Sequence, residues 1–525
     1  MHTKSLSEDR ASRSLCDRLA HEKGIHGKNS PKSLDPVHRD AELSSVTAAI
    51  LPRRGAVAEL AHPEKMAGPE LGNTKRPGDK MRSRSERTNV DKEDKEAPEA
   101  GASLLRSIGV FSEVGRLRKV FVHTPGPEVE RMTPETASEL LFNEIIHYSH
   151  VKRSHGELKA ILGQVAEVME VVDFLEDILG NDEVKVSLLQ QLLRVGKCEE
   201  LLPELLRLGR SELAEVLVTG LTLKRDTLTR YLSTGHFSLV PLPNMYFMRD
   251  SSMVIGNRNI ASAMASPVRL SESIIMRALF QYHPRLVGKG LLLDGLAHRG
   301  DPEFTIEGGD VLVYSEDVLL IGLSERTTTK AVDALIDRLV QTRREDGRNE
   351  TLTIFCVVLP RERSTIHLDM IFTFVSTLQA VIYAPYVNGR KRSRVVRIQV
   401  DADGGRKFKD VDDILVGLKG VGIRIDPIVC GGDNPLHQQR EQWNSGANLF
   451  ALAPGQVICY EMHENTVKAC QEAGFAVYSA EEAIARPALL QSSQPIVVTM
   501  EGSELARGGG GPRCMTCPVL RDPIS

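Results

Sequence analysis

The first 100 residues contain no Phe, Tyr or Trp. They are rich in Ser, Pro, Gly, Lys, Arg, Asp and Glu, with nearly balanced charge. A segment without large apolar side chains cannot bury enough surface to offset its ordering entropy. Residues 1–102 are therefore expected to form a disordered N-terminal extension. Glu8 and Asp9 stand near the start, whereas transit peptides are acid-poor, so organelle targeting is not favoured. Long hydrophobic runs are missing as well. No stretch is long enough to span a bilayer, and there is no secretory signal core. Nor is there an excess of one charge. The net charge is -4 without a sustained basic stripe, which argues against nucleic acid as the partner. Cysteine is sparse: eight residues are scattered through 525. Several sit in apolar runs, as Cys356 does within Thr353 to Val358. That usage fits reduced thiols in a reducing compartment, so the cytoplasm is the expected location. The partner expected is a small molecule, with homo-oligomerisation left open.

What the chain does have is concentrated near its end. Four glycines, Gly508 to Gly511, run into Pro512-Arg513-Cys514-Met515-Thr516-Cys517. Glycine lets backbone approach a ligand closely and adopt positive φ, so this loop can present a thiol to a small substrate. A thiol acts as a nucleophile only when ionised, which requires a cationic or basic setting. Candidate partners lie far upstream in Asn244 to Asp250, Phe304 to Asp310 and Ile366 to Asp369. Each fragment alone has a plainer reading. Cys514 and Cys517 could be a redox pair or half a metal site, but no second such pair or ligand-spaced histidines follow. The glycine run lacks the Lys-Ser or Lys-Thr of a phosphate-binding loop.

From Gly109 onward short β-rich runs recur: Lys119 to His123, Met253 to Gly256, Val318 to Gly322, Thr353 to Val358, Val457 to Tyr460 and Ile496 to Thr499. Helical patterns lie between many of them, for example Thr328 to Arg343. The alternation predicts an α/β class. The strands are more numerous than one sheet easily holds, which leaves room for a radial arrangement of small units. Between about 181 and 223, leucines fall at helical spacing, punctuated by Gly196 and Gly209. This predicts a compact helical insertion with its own small core.

Asp250, Glu307, Asp310 and Asp369 are too many acids for a neutral acyl substrate, because buried like charges are costly without a cation among them. A guanidinium is planar, always charged and forked to match carboxylates. Two aspartates could grip it while Cys514 attacks its central carbon. His367 could then protonate departing ammonia and activate water, with Glu307 steadying the imidazolium.

The motifs Ser107 to Glu113, Glu139-Leu140-Leu141-Phe142-Asn143, Asn244-x-x-Phe247-x-x-Asp250, Glu307-Gly308-Gly309-Asp310, Gly322 to Thr327, His367-Leu368-Asp369 and Gly510 to Met515 occur in this order. Together they resemble the arginine deiminase family over residues 103–525. The resemblance implies a five-bladed α/β propeller, the pentein fold, with the helical stretch near 181–223 as an insertion. It implies hydrolysis of L-arginine to L-citrulline and ammonia without a metal or organic cofactor. By the same resemblance Cys514 is the nucleophile and His367 the acid and base. Asp250 and Asp369 hold the guanidinium, and Glu307 supports His367. Asn244, Phe247, Arg269 and Arg326 line the amino-acid end. Two departures stand out. Gly509 occupies the place of a carboxylate-binding arginine, and Asn143 that of an aspartate. Arg269 and Arg326 speak for a free carboxylate and against agmatine. The remaining alternatives are another guanidino hydrolase and an impaired, arginine-binding homologue.

Overall fold

The computed structural model describes residues 107–524. The expectation for residues 1–102 lies outside them. The expected α/β class is observed: six sheets alternate with helices. Five of these sheets have three or more strands, and one is a two-stranded pair, Leu221–Thr222 with Phe237–Leu239.

The five larger sheets share one wiring. A first strand pairs antiparallel with a second, and the second pairs parallel with a later one. Ser252–Ile255, Arg258–Ala261 and Leu291–Asp294 form one such unit. Val311–Ser315, Val318–Leu323 and Leu352–Val358 form the next. Phe372–Phe374, Gln379–Ile382 and Asp426–Val429 follow. Then come Phe450–Ala453, Gln456–Tyr460 and Ile496–Met500. The last unit joins the two ends of the described chain: Cys517–Arg521 pairs antiparallel with Leu117–Val122, which pairs parallel with Glu167–Glu170. Parallel pairs need a crossover, and helices supply it, as Thr329–Glu345 does between Val318–Leu323 and Leu352–Val358. The strand Leu352–Val358 is buried along almost its whole length, as a strand covered on both faces should be.

Every strand read from the sequence is present. The sequence reading did not foresee Arg394–Val400 and Arg406–Val411, which extend the second sheet to five strands. Arg406–Val411 is a largely exposed edge carrying Lys407, Lys409 and Asp410, so it offers no apolar run.

The stretch near 181–223 is helical. Asn181 caps Asp182–Gly196 by accepting from the amides of Glu183 and Val184, which satisfies orphan donors at the helix start. Gly209 precedes Arg210–Thr219. The separate core expected for this stretch is not found. Leu188, Leu192, Leu213 and Leu217 share one continuous cluster with Phe121, Ile274 and Leu279. The reason is amphipathicity: helices this short have too little apolar surface to enclose a core alone. Asp182–Gly196 packs on the helix Leu270–Tyr282, and Arg210–Thr219 packs on the helix Val171–Ile178.

Candidate active site

The shared wiring gathers the candidate residues. Each lies just before the first strand of a different unit: Asp250 before Ser252, Glu307 and Asp310 before Val311, His367 and Asp369 before Phe372, Cys514 before Cys517. The fifth unit contributes Asn448, just before Phe450. Its side-chain oxygen accepts from the Cys514 amide at 3.1 Å, and its Nδ2 donates to the Asp369 carbonyl at 3.2 Å.

Cys514, His367, Asp250, Asp369 and Glu307 are each no more than 5 % exposed. His367 Nε2 lies 3.0 Å from Glu307 Oε2, and its Nδ1 lies 3.7 Å from Asp250 Oδ1. Gly309 makes room for the ring, since a Cβ there would stand 2.6 Å from His367 Cγ. Burial alone would discharge this histidine. Asp250, the bond to Glu307 and Asp310 outweigh that and hold its pKa at about 9. Asp310 itself accepts from the Leu368 amide at 2.9 Å and from the Ser324 hydroxyl at 2.6 Å. It fixes the backbone between His367 and Asp369.

The two aspartates are held in matching ways. Asp250 Oδ2 accepts from Arg269 at 2.7 Å, and Arg269 is pinned by Glu272 at 2.8 Å. Asp369 Oδ2 accepts from Arg513 at 2.7 Å, and Arg513 is pinned by both oxygens of Glu113 at 3.1 Å. In each aspartate Oδ1 is buried without a hydrogen-bond partner. A buried unsatisfied carboxylate oxygen is costly, so its place in a site points to a ligand with donors.

Cys514 Sγ lies 3.9 Å from Asp369 Oδ2. Burial first, then Asp369 and Asp250, push this thiol well above its usual pKa. These surroundings favour the neutral form of the Cys514 thiol and the charged form of the His367 ring. Asp250, Glu307 and His367 also bring three potential metal-ligand atoms within 4.8 Å of one another. These three residues are the ones joined by the His367 contacts just described.

A cavity of about 510 Å³ leads to Cys514. Asn244, Phe247, Asp250, Arg269, Glu307, Arg326 and His367 line it, as the sequence reading expects; Asp369 is not among the lining residues, but its carboxylate stands 3.9 Å from the Cys514 sulfur at the cavity floor. Asn143 also lines it. Arg269, expected at the substrate's amino-acid end, donates from all three guanidinium nitrogens, to Glu272, to Asp250 and to the carbonyls of Asn244 and Phe247. Burying an arginine demands such pairing. The reading from sequence missed Glu113, Glu272, Asn448 and the pairing role of Arg513. It also missed Arg363, on the cavity wall, although its place four residues before His367 was a signal.

A sequence profile described as arginine deiminase matches residues 138–521. The chain belongs to the arginine deiminase family. It is 31 % identical to an arginine deiminase of Borrelia duttonii (strain Ly), covering 80 % of this chain and 99 % of that protein. It is 33 % identical to one from Mycobacterium bovis (strain BCG / Pasteur 1173P2), covering 79 % and 99 %. Among solved structures it is similar to SxtG, an amidinotransferase from Microseira wollei in the saxitoxin biosynthetic pathway, at 14 % identity. The TM-score there is 0.45, over 80 % of this chain and 98 % of that one. Membership of the arginine deiminase family fits the thiol, imidazole and paired aspartates at the cavity floor.

Proposed function

We propose that the chain hydrolyses L-arginine to L-citrulline and ammonia through a covalent intermediate on Cys514. The observation that carries this reading is the pair of buried aspartates, each with one oxygen fixed by an arginine and the other without a hydrogen bond. A guanidinium offers N–H donors on both sides of a reactive carbon. Asp250 and Asp369 would bind its two ends. The bound cation offsets their charge, so the Cys514 pKa falls, the thiol proton passes to solvent and the thiolate forms next to the carbon it attacks. His367, charged below about pH 9, gives its proton to the departing nitrogen, which leaves as ammonia. The neutral imidazole then takes a proton from water, which attacks the thiouronium carbon. Collapse releases thiolate and citrulline. Glu307 accepts from the imidazole and favours its charged form.

The catalytic domain is assigned to residues 103–525, with the helical stretch near 181–223 as an insertion. The five sheets of common wiring are read as five blades of a propeller, closed by the pairing of Cys517–Arg521 with Leu117–Val122. The seven described cysteines are all free, which supports the cytoplasm as the setting. No described helix is long and apolar enough to cross a membrane.

Incubation with arginine, agmatine and dimethylarginine, with ureido product and ammonia measured for each, tests the proposal. Stoichiometric citrulline and ammonia from arginine, at the highest kcat/KM of the three, is expected. Absence of citrulline from a folded preparation overturns it.

A further inference from the structure

Four arginines stand on the wall of the cavity: Arg269, Arg326, Arg363 and Arg507. Two are spent. Arg269 donates from every nitrogen to Asp250, Glu272 and backbone. Arg507 is tied to Glu144 and, at 2.7 Å, to Glu504. Gly509, where the family resemblance places another cation, has no side chain to offer. The remaining two are weakly committed. Arg326 comes no nearer than 3.9 Å to Glu307 and to Glu325. Arg363 makes a single bond, 3.3 Å from Nη2 to the carbonyl of Leu141.

These two guanidiniums repel each other. Burial, and then the like charge of Arg326, lower the Arg363 pKa. Glu325 is the acid that faces it. Two under-paired cations at a cavity wall form a site for an anionic group. Arg363 also sits in the turn Arg363–Thr365, directly before Ile366 and His367, so its backbone is fixed relative to the reacting end. We propose that Arg363 joins Arg326 in binding the substrate's α-carboxylate and supplies the cation that Gly509 does not. The inference rests on the arginine reading and assigns the discrimination between arginine and its decarboxylated analogue to a residue outside the glycine loop.

The test compares Arg363→Gln and Arg363→Lys with the unsubstituted protein, on arginine and on agmatine, which has no carboxylate. Arg363→Gln is expected to raise KM for arginine about tenfold to a hundredfold, the loss of one charge-assisted hydrogen bond. Its kcat should stay within about threefold, because the contact binds ground and transition states alike. KM for agmatine should move by less than about twofold, and Arg363→Lys should recover part of the loss on arginine. Equal damage on both substrates would mean that Arg363 acts only by holding Leu141, and would overturn the proposal. So would an unchanged KM for arginine. If the unsubstituted protein makes no citrulline, the parent reading fails. Calorimetric titration of Cys514→Ser protein, with and without Arg363→Gln, then decides the carboxylate contact separately. A preference for arginine over agmatine that disappears with Arg363→Gln supports it, and no preference refutes it.

Discussion

The two ends of the cavity are built on opposite plans. At the floor, Cys514, His367, Asp250, Asp369 and Glu307 are buried, and both aspartates are held by arginines that glutamates hold in turn. At the mouth, Arg363 and Trp443 are exposed, Arg326 is under-paired, and Gly509 has a φ of 104°. The floor must keep charges in fixed positions at low dielectric, where a misplaced one is expensive. The mouth must admit and release a zwitterion, and water there screens its charges. Substitutions at the floor should therefore cost turnover, and substitutions at the mouth should cost affinity.

The largest expected effect is that of Cys514→Ser. A neutral hydroxyl is a far weaker nucleophile than a thiolate, so turnover should vanish while arginine still binds. Cys517→Ser should keep most activity, since Cys517 is packed in the core away from the cavity lining and its Sγ donates to the Ser252 carbonyl at 3.3 Å. Steady-state kinetics of both variants check this. Loss of turnover in Cys517→Ser with retention in Cys514→Ser would reverse the assignment.

Next come Asp250→Asn and Asp369→Asn. Each removes charge from one side of the bound guanidinium and leaves a buried arginine short of a partner. A fall of at least about 100-fold in kcat/KM is expected for each, on the order of 3 kcal/mol. Near-normal kinetics in either variant would break the comparison, because a floor residue would then behave as a mouth residue.

A smaller effect is set by pH. The His367 pKa of about 9 lies above the ordinary value of 6.5. Its charged form is therefore stabilised by folding. That contribution is fully present below pH 6.5 and is lost as pH rises through about 9. kcat/KM should fall over the same alkaline limb as the general acid discharges. Thiolate absorbance from Cys514, taken as the difference from Cys514→Ser, should be missing at neutral pH in the free enzyme. It should appear when a non-reacting guanidino ligand is added. A thiolate already present at neutral pH without ligand would contradict the charge balance described.

Much of the floor was legible in the sequence, because its residues sit in short motifs at strand starts. The chemistry of a thiol, an imidazole and surplus acids pointed to a guanidinium. The second layer was not legible. Arg513 and Glu113 are 400 residues apart, and nothing local marks either as a partner. The pairing of Arg269 with Glu272 and Asp250 was hidden for the same reason, since nothing in the sequence near Arg269 marks Asp250 as its partner. In the fold, several apolar strands were visible, whereas Arg394–Val400, interrupted by Arg397 and Gln399, and the polar edge Arg406–Val411 were not. The leucine-rich helices were visible, but the core they share depends on Ile274 and Leu279 on a distant helix.

The smallest expected effect belongs to Gly509, and it sharpens the account of the mouth. A Cβ at this position would meet nothing within 4 Å, so space is available for a side chain. The obstacle is backbone conformation: a φ of 104° disfavours any L-residue with a Cβ. Holding that strain costs about 1–3 kcal/mol. A new charge-assisted bond from Gly509→Arg to the carboxylate contributes about 1.5–3 kcal/mol. The strain is carried by free and bound protein alike, so it lowers stability without entering the affinity. Gly509→Arg should therefore unfold at lower denaturant concentration, while KM for arginine falls by about tenfold to a hundredfold. Gly509→Ala carries the same strain without the cation and serves as the reference. Relative to it, Gly509→Arg should show a KM for arginine lower by up to about a hundredfold, with agmatine unaffected. Identical arginine KM values for the alanine and arginine variants would mean that this loop does not reach the carboxylate, and would leave the clamp to Arg326 and Arg363.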